Sequence, residues 1–308
     1  MSAINIIMYH YVRPIKNSAY PNLKGLELAG FKRQLDFLSS KYEFITAEDV
    51  IDAVKFKKKL KDNCCWLTFD DGYKDHYSYV LPELLKRKIQ GSFFPTIKAI
   101  IERVMMNFNT VHYILASADN INDLVIDLNA QSRNFAFTDD DLKKLWDKYA
   151  IPSRYDPKEV MYIKRLLQHA LPEDIRNKIS SYLFEKYVGV DQVAFAEQLY
   201  MSEAEVKELI NSGMYVGNHG YQHLHLNKED MISQKAEIDS GIKFLSSIGS
   251  RTEDWIMCFP YGQYNHETIE ILSRAKCAVA LTTEPVRAEL SIHHPLQFPR
   301  FDTNDFPQ

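Results

Sequence analysis

The sequence has little of several residue types, and each shortage narrows the classes of protein to which it can belong. Only four of its 308 residues are cysteine, and no two of them form a C-x-x-C pair, so no disulfide framework is indicated. Glycine (11) and proline (12) are sparse, while 45% of residues are hydrophobic and 25% are charged. This is the composition of a folded globular chain with a full core, and it argues against disorder.

Long apolar runs and a strong charge of one sign are also missing. No stretch approaches the roughly 18 apolar residues that a membrane helix needs. The apolar segment Ile4–Tyr9 is too short for the core of a secretory signal and has no basic start. We therefore expect a cytoplasmic protein. The net charge of −4 gives no reason to expect nucleic acid as a partner, and the basic run from Lys55 to Lys61 is interpreted as a solvated loop or helix end.

Short apolar runs alternate with helical patterns in both end regions of the chain. Ile4–Met8 and Cys64–Thr68 are typical of buried strands, whereas the segment from Gly30 to Lys41 has apolar residues at helical spacing. Thr46 has the form of an N-cap, with Asp49 completing a capping box. We predict an α/β fold, a class in which active sites lie at the carboxyl ends of parallel strands.

The middle of the chain breaks this alternation. Residues 99–198 show mostly helical patterning, for example the amphipathic stripe of Val160–Leu171. We interpret this stretch as a helical insertion, acting as a lid or an oligomerisation element. Residues 1–98 and 199–308 then form one catalytic domain around it.

Two motifs supply the side chains of a mononuclear metal hydrolase. Asp70 and Asp71 follow the predicted strand Cys64–Thr68, and His219 and His223 follow another apolar run. Neighbouring side chains on an extended segment point apart, so one Asp can bind a metal while the other accepts a proton. Two histidines at i and i+4 meet on one helical face and can share that metal. One Asp and two His make three ligands and leave a position open.

A third motif, Phe259-Pro260-Tyr261-Gly262, also follows a predicted strand. A turn at this place can present a main-chain N–H to a developing oxyanion. Each of the three motifs alone is compatible with an ordinary turn or a solvated loop.

Together the motifs resemble the polysaccharide deacetylases, the NodB-homology domains of carbohydrate esterase family 4. Met8-Tyr9-His10-Tyr11-Val12 is similar to the start of many members, and the resemblance covers roughly residues 2–96 and 200–302. It implies a distorted (β/α) barrel of about seven parallel strands. The middle of the chain, residues 99–198, lies outside it.

The resemblance also implies roles for individual residues. Asp70 matches the general base, and the main-chain N–H of Tyr261 matches the oxyanion donor. Asp71, His219 and His223 match the ligands of a divalent metal, with zinc as the expected ion. The implied reaction is removal of an acetyl group from an N-acetylated sugar.

Three departures from the family pattern concern the groups around this centre. Gly220 stands where members usually have Ser or Thr, and Cys258 stands where many have an Arg that orients the base. Arg300 is a candidate to take over that orienting role. For the general acid, His293 is the first candidate and His10 the second. A structural histidine or a surface arginine remains the alternative at these three positions.

We therefore predict a metal-dependent hydrolase that removes an N-acyl group from an amino sugar, with an intracellular intermediate of glycan biosynthesis as substrate. Two alternatives remain open. One is an amidohydrolase acting on a small amide that is not a carbohydrate. The other is a degenerate family member that binds a ligand without turnover, which the changes at Gly220 and Cys258 would favour.

Overall fold

A computed structural model describes residues 3–308 of the chain. Their backbone divides into two compact units. The first contains the chain up to Pro14, together with Gly25–Arg103 and Glu197–Gln308, and the second contains Ile15–Lys24 and Val104–Ala196. The sequence patterns give no sign that Ile15–Lys24 belongs with the helical unit.

The strands all lie in the first unit. They are β1 (Ala3–Tyr9), β2 (Val12–Arg13), β3 (Leu26–Glu27), β4 (Glu43–Phe44), β5 (Cys64–Asp71), β6 (Gly91–Pro95), β7 (Tyr215–Val216), β8 (Trp255–Cys258), β9 (Cys277–Leu281), β10 (Ala288–Glu289) and β11 (Phe301–Asp302).

The helices occur in both units. They are α1 (Leu28–Lys41), α2 (Ala47–Phe56), α3 (Leu81–Arg87), α4 (Ile97–Glu102), α5 (Asn107–Ser117), α6 (Ile121–Arg133), α7 (Asp139–Tyr149), α8 (Lys158–Arg165), α9 (Glu173–Tyr187), α10 (Gln192–Leu199), α11 (Glu203–Asn211), α12 (Met231–Ser247) and α13 (His266–Arg274). A π-helical turn, His76–Val80, precedes α3, and a second, Leu166–Ala170, follows α8.

The main sheet has seven strands in the order β10-β1-β5-β6-β7, with β11 also paired to β1 and β4 to β5. All of its pairings are parallel except the one between β1 and β10. This confirms the predicted α/β class. In the described residues β8 and β9 form a separate parallel ladder, so the predicted barrel is not closed by continuous pairing. Isolated bridges join Asn218 to Met257 and Leu281 to Phe298.

Alternate residues of several strands of the first unit face one buried cluster. Strand side chains point to opposite faces in turn, so residues two apart share a face. Within this cluster lie Ile4, Ile6, Cys64, Trp66, Ile256, Cys258, Val279 and Leu281, with residues of α2 packed against them. The burial of both faces explains why β5 has no exposed residue and appears in the sequence as a continuous apolar run.

The first turn of α2 is closed by the predicted capping box. The Thr46 side chain accepts a hydrogen bond from Asp49 N, and the Asp49 carboxylate accepts one from Thr46 N, both at 3.1 Å. We expect Thr46→Ala to lower the free energy of unfolding by about 1 kcal/mol, since the orphaned N–H groups of the first turn lose a partner. Denaturant unfolding measures this. Ser40→Ala, at an exposed position of α1, is the control and should change the unfolding free energy much less; an equal effect would contradict the assignment.

The second unit consists of helices and the strap Ile15–Lys24. Tyr20 of the strap packs edge-on against the rings of Tyr113 and Phe195, at centroid distances of 4.9 and 5.7 Å. Lys24 and Lys164 both pair with the buried carboxylate of Asp156. In the described part of the chain, no helix in either unit has the length and apolar character that a membrane crossing requires.

Candidate active site

The predicted site residues follow strands that end at one edge of the first unit. The parallel register aligns Tyr9 with Phe69, and Asp71 with Pro95, so the carboxyl ends of β1, β5 and β6 lie side by side. The segments after β7 and β8 carry His219 and Tyr261 to the same edge, because Asn218 bridges to Met257 and hydrogen-bonds Ile256 and Cys258. The fold therefore gathers motifs that are far apart in sequence.

The two adjacent carboxylates have different surroundings, as their positions on an extended segment predict. Asp70 faces Arg300, whereas Asp71 faces the imidazoles of His219 and His223. Asp71 adopts a left-handed backbone conformation with φ of 72°. Gly72 follows with φ of 77°, and a Cβ there would lie 2.7 Å from Pro95 Cβ. The sharp exit of the chain from β5 therefore requires glycine at position 72.

The segment from Gly217 to His223, called here the histidine loop, is not helical. The expectation that His219 and His223 meet on a helical face was wrong, although their side chains do converge. Gly220 and His223 have φ values of 77° and 59°, and these left-handed residues turn the loop back on itself. The ring centroids of the two histidines lie 4.8 Å apart.

The donor atoms of Asp71, His219 and His223 fit a tetrahedral metal ion. Nε2 of each histidine lies 3.4 Å from Asp71 Oδ1. Ligand atoms at about 2.1 Å from zinc in a tetrahedron are about 3.4 Å from one another. Asp71 Oδ1 is buried and has no hydrogen-bond partner, while Oδ2 accepts a bond from Tyr73 Oη at 2.7 Å. A buried carboxylate oxygen without such a partner is suited to bind a cation.

The hydrogen bond of His219 is consistent with this assignment. Its Nδ1 lies 2.8 Å from the carbonyl oxygen of Cys258. Because a carbonyl oxygen only accepts, Nδ1 carries the proton, and the Nε2 lone pair is left for a metal.

A competing donor set in the described residues consists of Asp70, His219 and Cys258, whose donor atoms also lie within 4.8 Å of one another. The Arg300 guanidinium decides between the two sets. It donates to both oxygens of Asp70, at 3.0 and 2.8 Å, and lies 3.0 Å from Cys258 Sγ. A cation among these groups would meet a buried positive charge, so the set containing Asp71 is favoured.

Arg300 is buried and contacts both Asp70 and Cys258. Its Nε donates to Thr282 O at 2.9 Å and its Nη1 to Thr68 Oγ1 at 3.1 Å, which fixes the plane of the guanidinium. Burial alone would raise the pKa of Asp70, but the charge of Arg300 and its hydrogen bonds lower that pKa below its ordinary value. The carboxylate is therefore held ionised and oriented.

The turn after β8 brings Tyr261 to the candidate metal ligands. Tyr261 is left-handed, with φ of 57°, and its ring packs edge-on against His223 at 4.5 Å. The imidazole of His225 stacks on the same ring, with the ring centroids 3.9 Å apart and an angle of 6° between the ring planes. The sequence pattern alone predicts no role for His225. The stack holds Tyr261, and with it the predicted oxyanion donor, beside the histidine loop.

The structure separates the two candidates for the general acid. His10 follows β1 at the site edge, because Tyr9 aligns with Phe69, the residue directly before Asp70. The carbonyl oxygen of His10 accepts a bond from Nε2 of the buried His76 at 2.8 Å. Burial lowers the pKa of His76 to about 4, so that residue stays neutral and serves to hold the backbone of His10.

His293, the first candidate for the acid, is not brought to the site. Its imidazole Nδ1 accepts a hydrogen bond from Glu289 N at 3.0 Å. Glu289 pairs with Ala3 at the start of β1, whereas the site lies beyond Tyr9 at its end. The length of β1 corresponds to about 20 Å, which is too far for proton transfer to a substrate.

Sequence reasoning missed three residues that support the ligands. Tyr73 hydrogen-bonds Asp71, and Asn218 accepts a bond from Gly220 N at 2.8 Å. Glu237, in α12, accepts bonds from the backbone of the histidine loop. The sequence offered no signal for Glu237, because an acidic residue on an amphipathic helix is usually solvated.

Comparison with known sequences identifies the family. A sequence model described as "Polysaccharide deacetylase" matches residues 57–125 and 173–280, which is more than half of the chain. The chain belongs to the polysaccharide deacetylase family. This family comprises hydrolases that act on carbon–nitrogen bonds. A curated relative in Bacillus subtilis (strain 168), YxkH, whose name assigns it provisionally to the polysaccharide deacetylases, is 27% identical over 86 residues. That match spans 28% of this chain and 30% of the relative.

Two solved structures of polysaccharide deacetylase relatives share the fold. The Streptococcus pyogenes deacetylase PplD, solved in complex with acetate, has a TM-score of 0.61 and 16% identity, over 98% of this chain and 92% of its own. A de-N-acetylase of Aggregatibacter actinomycetemcomitans has a TM-score of 0.55 and 14% identity, over 97% and 94%. At these identities the likeness concerns the fold alone.

Proposed function

We propose that this polysaccharide deacetylase homologue hydrolyses the N-acetyl group of an amino-sugar substrate with the help of one divalent metal ion. The observation that carries the proposal is the arrangement around Asp71, whose unpartnered Oδ1 lies 3.4 Å from both histidine Nε2 atoms. Asp71, His219 and His223 would hold the metal, with zinc favoured by the tetrahedral spacing. When bound, the ion supplies Lewis acidity that polarises the acetamide carbonyl and makes water a better nucleophile.

The other groups have separate tasks in this proposal. Asp70 accepts the proton of the attacking water, since Arg300 holds its carboxylate ionised and oriented. The main-chain N–H of Tyr261 donates to the oxyanion of the tetrahedral intermediate. His10 protonates the leaving amine, which releases acetate and the free amino sugar.

The barrel predicted from the sequence is part of the proposal. The bridges Asn218–Met257 and Leu281–Phe298 lie where pairing would join β7 to β8 and connect β9 to the segment before β11. We infer that these contacts complete a distorted barrel around the buried cluster of alternate strand residues. The cytoplasmic location and the use of an intracellular glycan intermediate as substrate stay predictions from the sequence.

A screen for acetate release tests the function. Protein stripped with a chelator and reloaded with zinc is incubated with nucleotide-linked N-acetylated sugars, short N-acetylated oligosaccharides, long polymers and simple amides. We expect acetate release from at least one saccharide, its loss after chelation and its return with zinc. Turnover of simple amides alone would instead support the amidohydrolase alternative. Absence of turnover on every substrate with zinc bound would support a ligand-binding member of the family.

A further inference from the structure

The histidine loop needs a support that its own sequence does not provide. Two of its residues, Gly220 and His223, are left-handed. Lys98 N donates a hydrogen bond to Tyr221 O at 2.9 Å, but the N–H groups of Tyr221 and Gln222 find no acceptor within the loop itself. Gly220 also stands where the resemblance to the family leads one to expect a serine or threonine hydroxyl. The amides of Tyr221 and Gln222, which lie directly before His223, therefore need an acceptor from outside the loop.

That support comes from a carboxylate on helix α12. Glu237 Oε2 accepts hydrogen bonds from Tyr221 N at 2.8 Å and Gln222 N at 2.9 Å, and Oε1 lies 3.2 Å from Gln222 N. The Glu237 side chain is buried, with 4% of its surface exposed. Burial raises the pKa of Glu237, whereas the hydrogen bonds from the N–H groups of Gln222 and Tyr221 lower it. The ionised form of the buried carboxylate is therefore stabilised by these bonds.

We propose that Glu237 is the positioning residue that locks the histidine loop in its metal-binding conformation, in place of the hydroxyl that Gly220 lacks. The proposal rests on the proposed metal site. Glu237 touches neither metal nor substrate in this role. It acts through the backbone of Tyr221 and Gln222, the two residues directly before His223.

The rest of α12 supports the same contact. Asn218, at the start of the loop, donates from Nδ2 to Ile238 O at 3.2 Å and accepts from Gly220 N at 2.8 Å. One turn further on, a Cβ at Gly241 would lie 2.1 Å from Asn218 Oδ1, so the helix backbone approaches the loop closely. The helix thus contacts both ends of the loop.

The residue types at positions 220 and 237 are matched. A Cβ at Gly220 would lie 2.9 Å from Glu237 Oε2, which is closer than real Cβ contacts come. A side chain at position 220 would therefore require the Glu237 carboxylate to shift from its position beside the loop amides.

Three variants test the proposal: Glu237→Ala, Glu237→Gln and, as a matched control, Asp239→Ala. Asp239 is a carboxylate on the same helix, but it is partly exposed and pairs with Lys235. Zinc affinity is measured by competition with a chromophoric chelator, and the exchange of the Tyr221 and Gln222 amides is followed by hydrogen exchange. Kinetic constants are measured at saturating zinc.

We expect Glu237→Ala to weaken zinc binding about 10- to 100-fold, as loss of a group that orients metal ligands does. The two amides should exchange at least about tenfold faster, because each loses its acceptor. At saturating zinc, kcat should fall while KM changes little. Glu237→Gln should lie between wild type and Glu237→Ala since one oxygen remains, and Asp239→Ala should match wild type.

Equal zinc affinity and equal amide exchange in Glu237→Ala and Asp239→Ala would overturn the proposal. If Glu237→Ala does not fold, the same two readouts on Glu237→Gln decide. Gly220→Ala adds an independent check: it should weaken zinc binding in the wild type and weaken it less in the Glu237→Ala background. These readouts require no turnover, so failure of the sugar assay with the predicted zinc pattern would reject the proposed function and leave the role of Glu237 standing.

Discussion

Replacing Asp70 with asparagine should lower kcat for acetate release by about 10²- to 10⁴-fold, the contribution that a general base usually makes. The amide keeps the shape of the side chain and can still face Arg300, but it cannot accept the proton of the attacking water. Zinc affinity should change little, because the proposed ligand is the neighbouring Asp71. Kinetics and a zinc titration on the same preparation measure both effects.

The control for Asp70→Asn is Asp156→Asn in the helical unit. Asp156 is also a buried carboxylate in an ion pair, with Lys24 and Lys164, so this variant reports the general cost of removing such a charge. It should leave kcat and zinc affinity unchanged. A tenfold or smaller loss of kcat in Asp70→Asn would contradict the assignment of Asp70 as the base. A loss of zinc affinity in Asp70→Asn would instead place Asp70 among the metal ligands.

The second large effect is expected for Arg300→Ala. Removing this guanidinium leaves Asp70 buried without its partner, which should lower kcat about 10²- to 10³-fold, as loss of a preorganised charge in an active site does. The acid limb of the pH profile should move to higher pH, because a carboxylate that loses a neighbouring positive charge has a higher pKa and must be ionised to act. The free energy of unfolding should also fall by about 3–5 kcal/mol.

Two further variants separate the effect of Arg300 on the orientation of Asp70 from its effect on the stability of the protein. Arg300→Lys keeps the charge but cannot donate in the two parallel bonds seen at 3.0 and 2.8 Å, so it should recover only part of kcat. In the Arg300→Ala background, Cys258→Arg returns a guanidinium from the position that many relatives use, and kcat should rise above that of Arg300→Ala. If Arg300→Ala had the same kcat as the wild type, the result would show that Asp70 needs no orienting group.

Much of the fold and of the candidate metal centre is predictable from the sequence because the determining signals are local. Cys64–Thr68 is apolar on both faces, and the strand there ends at the Asp pair. The Thr46 capping box forms as its spacing indicates. Active-site loops of parallel sheets share one edge, so motifs placed after strands could be expected to converge.

The remainder depends on contacts between residues far apart in sequence. His219 and His223 are brought together by two left-handed residues, and i, i+4 spacing does not reveal that geometry. His293 was misplaced because β10 runs antiparallel at the amino end of β1, and no local pattern shows this return. In the sequence, Glu237 cannot be distinguished from a solvent-exposed residue of a helix. Its role is visible only from the packing of α12 against the histidine loop.

The most direct test of the central claim is anomalous diffraction at the zinc edge from crystals of the zinc-loaded protein. We expect one strong peak at about 2.0–2.2 Å from Asp71 Oδ1 and from Nε2 of His219 and His223, with Asp70 still paired to Arg300. A peak among Asp70, His219 and Cys258 would contradict this assignment. So would the absence of a peak at this edge of the sheet in protein that contains one zinc ion per chain.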